Sequence, residues 1–221
     1  MDNFTSKSGK KILSDLIEII QKNVSLLSEI DGAIGDGDHG INMNKGFTKA
    51  QQFIGDNPIE LSEALDSLGN VLITEIGGAM GPLYGTFFIE MASACKGVSE
   101  IDRELFGKML ECGYRGILNL GNAKVGDKTL VDTLDPAIRA YQEALMRGEN
   151  FSNALKEMVT AAEKGKESTR DLVARVGRAS RLGDRSKGVL DAGATSCFLI
   201  LSSMANSIQQ LIKPIEECKD V

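Results

Sequence analysis

Basic charge is in short supply in this chain: 25 lysines and arginines stand against 31 aspartates and glutamates, a formal net charge of −6. The acidic residues are scattered, so the phosphate-neutralising face of a nucleic-acid binder is missing, and any phosphate must be met locally. Cysteine is sparse as well. Cys95, Cys112, Cys197 and Cys218 lie far apart with no C-x-x-C pair, and a chain of this size does not need disulfides for stability, so they read as ordinary buried thiols in a reducing cytoplasm. No apolar run approaches the length that spans a bilayer, and the polar segment Met1 to Lys11 lacks the apolar stretch of an export signal. The expectation is a cytoplasmic protein that engages neither membrane nor nucleic acid.

Sustained strand-like alternation is also lacking. Helical spacing takes its place, first in Ile12, Leu13, Leu16, Ile17, Ile20, Val24 and Leu27. This stripe predicts a helix over about residues 8–29, and the same period returns at roughly 41–54, 59–75, 82–95, 102–120, 129–147, 151–175 and 194–212. The expectation is an all-α chain of eight helices without a sheet, forming one domain over 1–221, a length within the range of a single core. Asn57 before Pro58 reads as an N-cap followed by proline at the first helical position, and Ser99 with Asp102 resembles a capping box.

The connections are of two kinds. Gly55–Pro58, Lys96–Ser99 and Gly148–Asn150 are plain turns, whereas Asp31–Gly40, Gly77–Gly81, Gly121–Lys128 and Val176–Gly193 are rich in Gly, Asp and Arg. In an up-and-down array alternate connections emerge at the same end, so the four unusual segments should converge on one rim. Functional residues written in loops on a rigid scaffold have this form.

In the first segment, Asp31, Asp36 and Asp38 are separated by glycines that let the backbone fold tightly around a point. Hard oxygen donors without clustered Cys or His favour Mg²⁺, with Mn²⁺ and Ca²⁺ as alternatives, against a plain solvated acidic turn. An EF-hand would need Glu at its twelfth position, and counting from Asp31 gives Asn42 and from Asp36 gives Phe47, so that reading fails. His39, the single histidine, is either a structural residue or part of a nucleotide site. The helix beginning after Gly40 could turn free N–H groups toward a phosphate.

The second segment, Gly77-Gly78-Ala79-Met80-Gly81-Pro82, permits close approach of a ligand to the backbone, although Gly-rich helix connections are common. The third, Gly121-Asn122-Ala123-Lys124-Val125-Gly126-Asp127-Lys128-Thr129, resembles a P-loop with one residue inserted, but a P-loop follows a buried strand and the residues before Gly121 are helical in period. The fourth carries Arg178, Arg181, Arg185 and Lys187, which fit a phosphate lid better than a merely basic helix end.

Taken together, Ile34 to Asn44 (Ile-Gly-Asp-Gly-Asp-His-Gly-Ile-Asn-Met-Asn), Gly77-Gly78-Ala79, Gly81-Pro82-Leu83-Tyr84-Gly85-Thr86, Gly126-Asp127-Lys128-Thr129, Gly177-Arg178-Ala179-Ser180 and Asp191 to Ser196 resemble the nucleotide-binding L subunit of bacterial dihydroxyacetone kinases. The resemblance runs from the first helix to about Ala205. It implies an eight-helix antiparallel up-and-down barrel with the nucleotide site at one end. It implies two Mg²⁺ ions on Asp31, Asp36 and Asp38, and an ADP or ATP surrounded by His39, Gly40, Ile41, Asn42, Gly78, Ala79, Met80, Gly121, Leu130, Arg178, Asp191, Ala192 and Gly193. Arg178 would be the catalytic residue.

The resemblance also implies partners: a K subunit that holds the ketose covalently on its own histidine and, in one branch, a phosphocarrier M subunit that recharges resident ADP from phosphoenolpyruvate. A nucleotide-loaded module signalling to a transcriptional regulator, a kinase subunit for another small ketose, and a homodimer are the further readings. The chain departs from the family at Met80, where a small hydroxyl residue is usual, at Ala192, which replaces a proline, and at Val189-Leu190, where many members have a histidine before Asp191.

Overall fold

The computed structural model describes residues 2–55 and 58–212, and the expected cap at Asn57 as well as Cys218 lie outside the described residues. The chain is all-α in class, with α-helices α1 (Gly9–Lys22), α2 (Val24–Ile34), α3 (His39–Ile54), α4 (Leu61–Glu75), α5 (Met80–Cys95), α6 (Arg103–Leu120), α7 (Val131–Met146), α8 (Phe151–Ser168) and α9 (Ala192–Leu211). Three-residue strands β1 (Asn3–Thr5) and β2 (Glu100–Asp102) pair antiparallel, with Phe4 opposite Ile101.

Four expectations need correction. The first predicted helix is two: Asn23 stands between α1 and α2, its side-chain amide donating to the Ile19 carbonyl at 2.8 Å, a local bond that competes with helix propagation. The described residues therefore contain nine α-helices, and α2 continues through Asp31, anchored by buried Ile34. The chain is not wholly without a sheet, because Asn3–Thr5 pairs with Glu100–Asp102, too short to show alternation. Ser99 forms no capping box; Asp102 itself caps α6, accepting from Leu105 N–H at 2.8 Å. The helix expected to reach residue 175 ends at Ser168, where Ser168 and Thr169 hydroxyls bond the carbonyls of Gly165 and Lys166 and the backbone tightens into a short 3₁₀ turn, Thr169–Asp171.

Each helix from α3 to α8 packs on its successor, and α9 returns to α1, which also rests on α3 and α4. One apolar cluster from Phe4 to Ile208 fills the space between them. At one end Phe106, Tyr141 and Phe151 pack with ring centroids 5.7–6.5 Å apart, joined by Phe4 from β1. These rings lie where α6 and α8 begin and α7 ends, so the opposite end of the array is left to the Gly- and Asp-rich connections.

The pairing of α4 and α5 fixes one of those connections. A Cβ on Gly69 would stand 2.6 Å from the Gly85 carbonyl oxygen, and one on Gly85 2.7 Å from that of Gly69, so the two backbones touch only because both residues lack side chains. Alanine at Gly69 gains about 1 kcal/mol of helix propensity but meets a backbone atom, and such overpacking costs about 2–3 kcal/mol. Gly69→Ala should therefore lower stability by about 1–2 kcal/mol, a fall of roughly 3–6 °C in a thermal melt; an unchanged or raised melting point would contradict this packing.

Candidate functional site

All four unusual connections open into one cavity of about 680 Å³, a volume suited to a nucleotide-sized ligand. The walls come from residues 31–42, 77–84, 117–131, 176–179 and 191–193. Helices α3, α5, α7 and α9 all begin there, and at the first three the residue preceding the helix makes no side-chain capping bond. Helix N-termini favour negative charge, although the first N–H of α3 is already given to the Asp31 carboxylate and that of α7 to the Thr129 hydroxyl.

At the mouth, Asp31, Asp36 and Asp38 each present a carboxylate oxygen within 4.8 Å of the others. Asp31 stands in the last turn of α2, and its carboxylate accepts from the His39 N–H at 3.4 Å. Asp38 precedes α3 without capping it, which leaves its carboxylate unspent. Three oxygen donors with no thiolate among them match a hard divalent cation. Arg178, at the start of a longer 3₁₀ segment (Arg178–Ser186), reaches over to ion-pair with Asp36.

Beneath them lies a polar knot. The His39 Nε2 is 2.9 Å from the Ser196 hydroxyl, which is 2.6 Å from the Tyr84 hydroxyl; Tyr84 donates to the Gly193 carbonyl at 3.0 Å. This ties α3, α5 and α9 together. His39 is 7% exposed, and burial pushes its pKa down to about 4 even though the neighbouring Asp31 charge favours the cation, so the ring is neutral near pH 7. Asp191 caps α9 through Ala194 N–H at 2.7 Å, and burial raises its pKa to about 7 against the opposing pull of that hydrogen bond and of Lys128.

Of the expected site residues, Asp31, Asp36, Asp38, His39, Asn42, Gly78, Ala79, Met80, Gly121, Leu130, Arg178, Asp191, Ala192 and Gly193 line the cavity. Gly40 and Ile41 do not. A Cβ on Gly40 would stand 2.1 Å from the Val24 carbonyl oxygen, so this glycine serves the crossing of α2 and α3, and Ile41 is 61% exposed on the outer face of α3. Both sit beside lining residues in sequence but 100° away around the helix. Lining residues not named individually for the site beforehand include Ile117 and Val131, whose apolar periodicity reads as core, Val176 at the start of the fourth unusual segment, and Lys128 and Thr129, which stood in the Gly126–Thr129 motif without a role. The absence of a strand before Gly121 agrees with the rejection of a P-loop, since α6 runs to Leu120.

The model of the DAK2 domain matches residues 33–206. This chain belongs to the DAK2 family. Among its relatives, the protein named as the ADP-binding subunit of the PEP-dependent dihydroxyacetone kinase 1 of Listeria innocua is 38% identical over 193 residues, covering 87% of this chain and 91% of that protein. The corresponding ADP-binding subunit of Escherichia coli K12 is 36% identical over 191 residues, covering 85% and 90%. The dihydroxyacetone kinase of C. freundii, solved in complex with AMP-PNP and Mg²⁺, shares the fold with a TM-score of 0.66 at 21% identity; the match covers 90% of this chain and 33% of that protein, so this chain spans about a third of its length.

Within the DAK2 frame the single imidazole is a direct reporter. In metal-free protein its NMR signals should stay at their neutral positions from pH 8 down to about 5.5 and titrate with a midpoint near 4. Because the folded pKa lies below the ordinary 6.5, protonation of His39 works against the fold, an effect that grows as pH falls from 6.5 toward 4. A midpoint near 6.5 would mean that the ring is not held in this buried knot.

Proposed function

We propose that this chain is the nucleotide-binding subunit of a dihydroxyacetone kinase, passing phosphate from a magnesium-bound adenine nucleotide to dihydroxyacetone held on a separate K subunit. The observation that carries the reading is the convergence of Asp31, Asp36 and Asp38 at the mouth of a cavity into which four helices begin. The names of the two bacterial relatives support ADP as the resident nucleotide and phosphoenolpyruvate as the ultimate donor; a phosphocarrier M subunit would phosphorylate that ADP to ATP, which then gives its terminal phosphate to the ketose. The setting is cytoplasmic, and among the described residues no helix is long and apolar enough to cross a membrane.

Phosphoryl transfer asks a protein for alignment and charge neutralisation more than for covalent chemistry. Two Mg²⁺ ions, when bound, would supply the charge compensation that the nucleotide phosphates need. Asp31, Asp36 and Asp38 would hold those ions. The N–H groups at Gly78–Ala79 and at the start of α9 would donate to phosphate oxygens. Leu83, Ile117, Leu130 and Val131 exclude water and accept a flat base. His39, kept neutral and fixed by Ser196, adds no net charge to the site and orients its ring toward the ligand. Arg178 stands at the aspartate side of the cavity, where it offsets charge growing on the transferring group.

Two experiments test this reading. Calorimetry should find that ADP binds only with Mg²⁺ or Mn²⁺ present, and in thermal melts Mg-ADP at about a hundred times its dissociation constant should add roughly 2.7 kcal/mol. Asp38→Asn relieves like-charge repulsion, so its apo melting point should be unchanged or slightly higher while most of the ligand shift disappears. A lowered apo melting point with a normal ligand shift would return Asp38 to a structural role.

For Arg178→Ala, kinetics with a reconstituted K subunit should show a loss in kcat of a hundredfold or more, against a change of less than about tenfold in nucleotide affinity, because an arginine aimed at developing charge acts mainly in the transition state. A loss confined to the Michaelis constant would assign it to ground-state binding.

A further inference from the structure

Lys128 is the one non-glycine residue with a positive φ among the described residues, at 63°, and it is 2% exposed. A lysine rarely takes that backbone and is rarely buried, so both departures require strong local determination. Part of it comes from Asp132, whose carboxylate accepts from Gly126 N–H at 2.6 Å and Thr129 N–H at 2.7 Å and so winds the backbone tightly on either side of Lys128. The rest is the ammonium itself. Its Nζ donates to the Thr169 carbonyl at 2.6 Å and to the Val189 carbonyl at 2.5 Å. Among the described residues no carboxylate pairs with it directly, although the charge of Asp191 acts on it and burial lowers its pKa.

Thr169 and Val189 bracket the excursion that carries Arg178, Arg181, Arg185 and Lys187. Its neck is closed in the same place by Gly188 N–H to the Arg170 carbonyl at 2.8 Å and by Asp191 N–H to the Thr169 hydroxyl at 3.0 Å. A further bond, from Arg175 N–H to the Asp127 carbonyl at 3.1 Å, ties the excursion to the segment holding Lys128. One ammonium thus draws both ends of the basic loop to a point beside the cavity.

We propose that Lys128 is a positioning residue that acts through Arg178: by stapling Thr169 to Val189 it sets the base of the loop from which Arg178 reaches the aspartate mouth. The inference rests on the role given to Arg178 above. Two bonds from a buried charged donor to carbonyls are the strong kind, and their loss would leave the buried Thr169 oxygen and the part-buried Val189 oxygen without that partner. The strained backbone at Lys128 is maintained because those bonds need a long cationic side chain where glycine would fit more easily.

The test uses Lys128→Met, which keeps the length without the charge, and Lys128→Gly, which suits the positive φ and so protects folding while deleting the ammonium. Hydrogen exchange on the full chain should speed the amides of Arg175, Gly188 and Asp191 at least tenfold in both variants and leave those in the middle of α4 and α5 unchanged. In the kinase reconstituted with its ketose-binding subunit, each variant should lose at least tenfold in kcat with Mg-ADP affinity within about threefold of wild type. In an Arg178→Ala background the same substitutions should cost less than about threefold further. Unchanged exchange at the loop neck, or kcat losses that multiply in full with Arg178→Ala, would overturn the proposal. If wild type itself transfers no phosphate with that subunit, the kinase reading falls, and the exchange result still decides whether Lys128 holds the loop.

Discussion

Three carboxylates within 4.8 Å of one another are the constraint around which this molecule is arranged. Such a cluster repels itself, and a chain with net charge −6 offers no general positive field to offset it. Compensation must come from groups brought to the spot. The helix starts and Arg178 are the means on hand, and each requires the four connections to meet at one end. The glycine contact between α4 and α5, the polar knot of His39, Ser196 and Tyr84, and the aromatic cluster at the far end all serve that meeting.

Much of this was legible in the amino-acid order because helical periodicity is strong and unusual connections alternate with plain ones. Asp31, Asp36, Asp38 and the Gly78–Ala79 turn stand out since their residue types are costly without a purpose. Other features depend on contacts across the fold. Nothing local distinguishes Gly40, which permits a helix crossing, from Gly78, which lines a cavity; the neighbours on the next helix decide. The break at Asn23 falls within an apolar stripe that continues in phase, and the strand pair joins segments almost a hundred residues apart. Lys128 sits in a motif that attracts a phosphate-loop reading, yet its ammonium points at two carbonyls supplied by chain forty and sixty positions further on.

The two ends of the array are stabilised differently. The far end is a dry aromatic cluster, with Tyr141 sending its hydroxyl to the Arg103 carbonyl at 2.9 Å. The cavity end is held by polar bonds to backbone, many of them to carbonyls and amides at helix ends. Apolar packing at one end thus supports a rim whose polar groups would be too expensive to bury unaided.

Tyr84 has a practical consequence. Without tryptophan, the ultraviolet emission of the chain belongs to 3 tyrosines. Tyr141 is sealed in the core and Tyr114 is occupied by the carboxylate of Asp135, at 2.9 Å. Tyr84, by contrast, forms part of the cavity wall. Of the three phenols only Tyr84 lines the cavity, so its emission is the one to follow for occupancy.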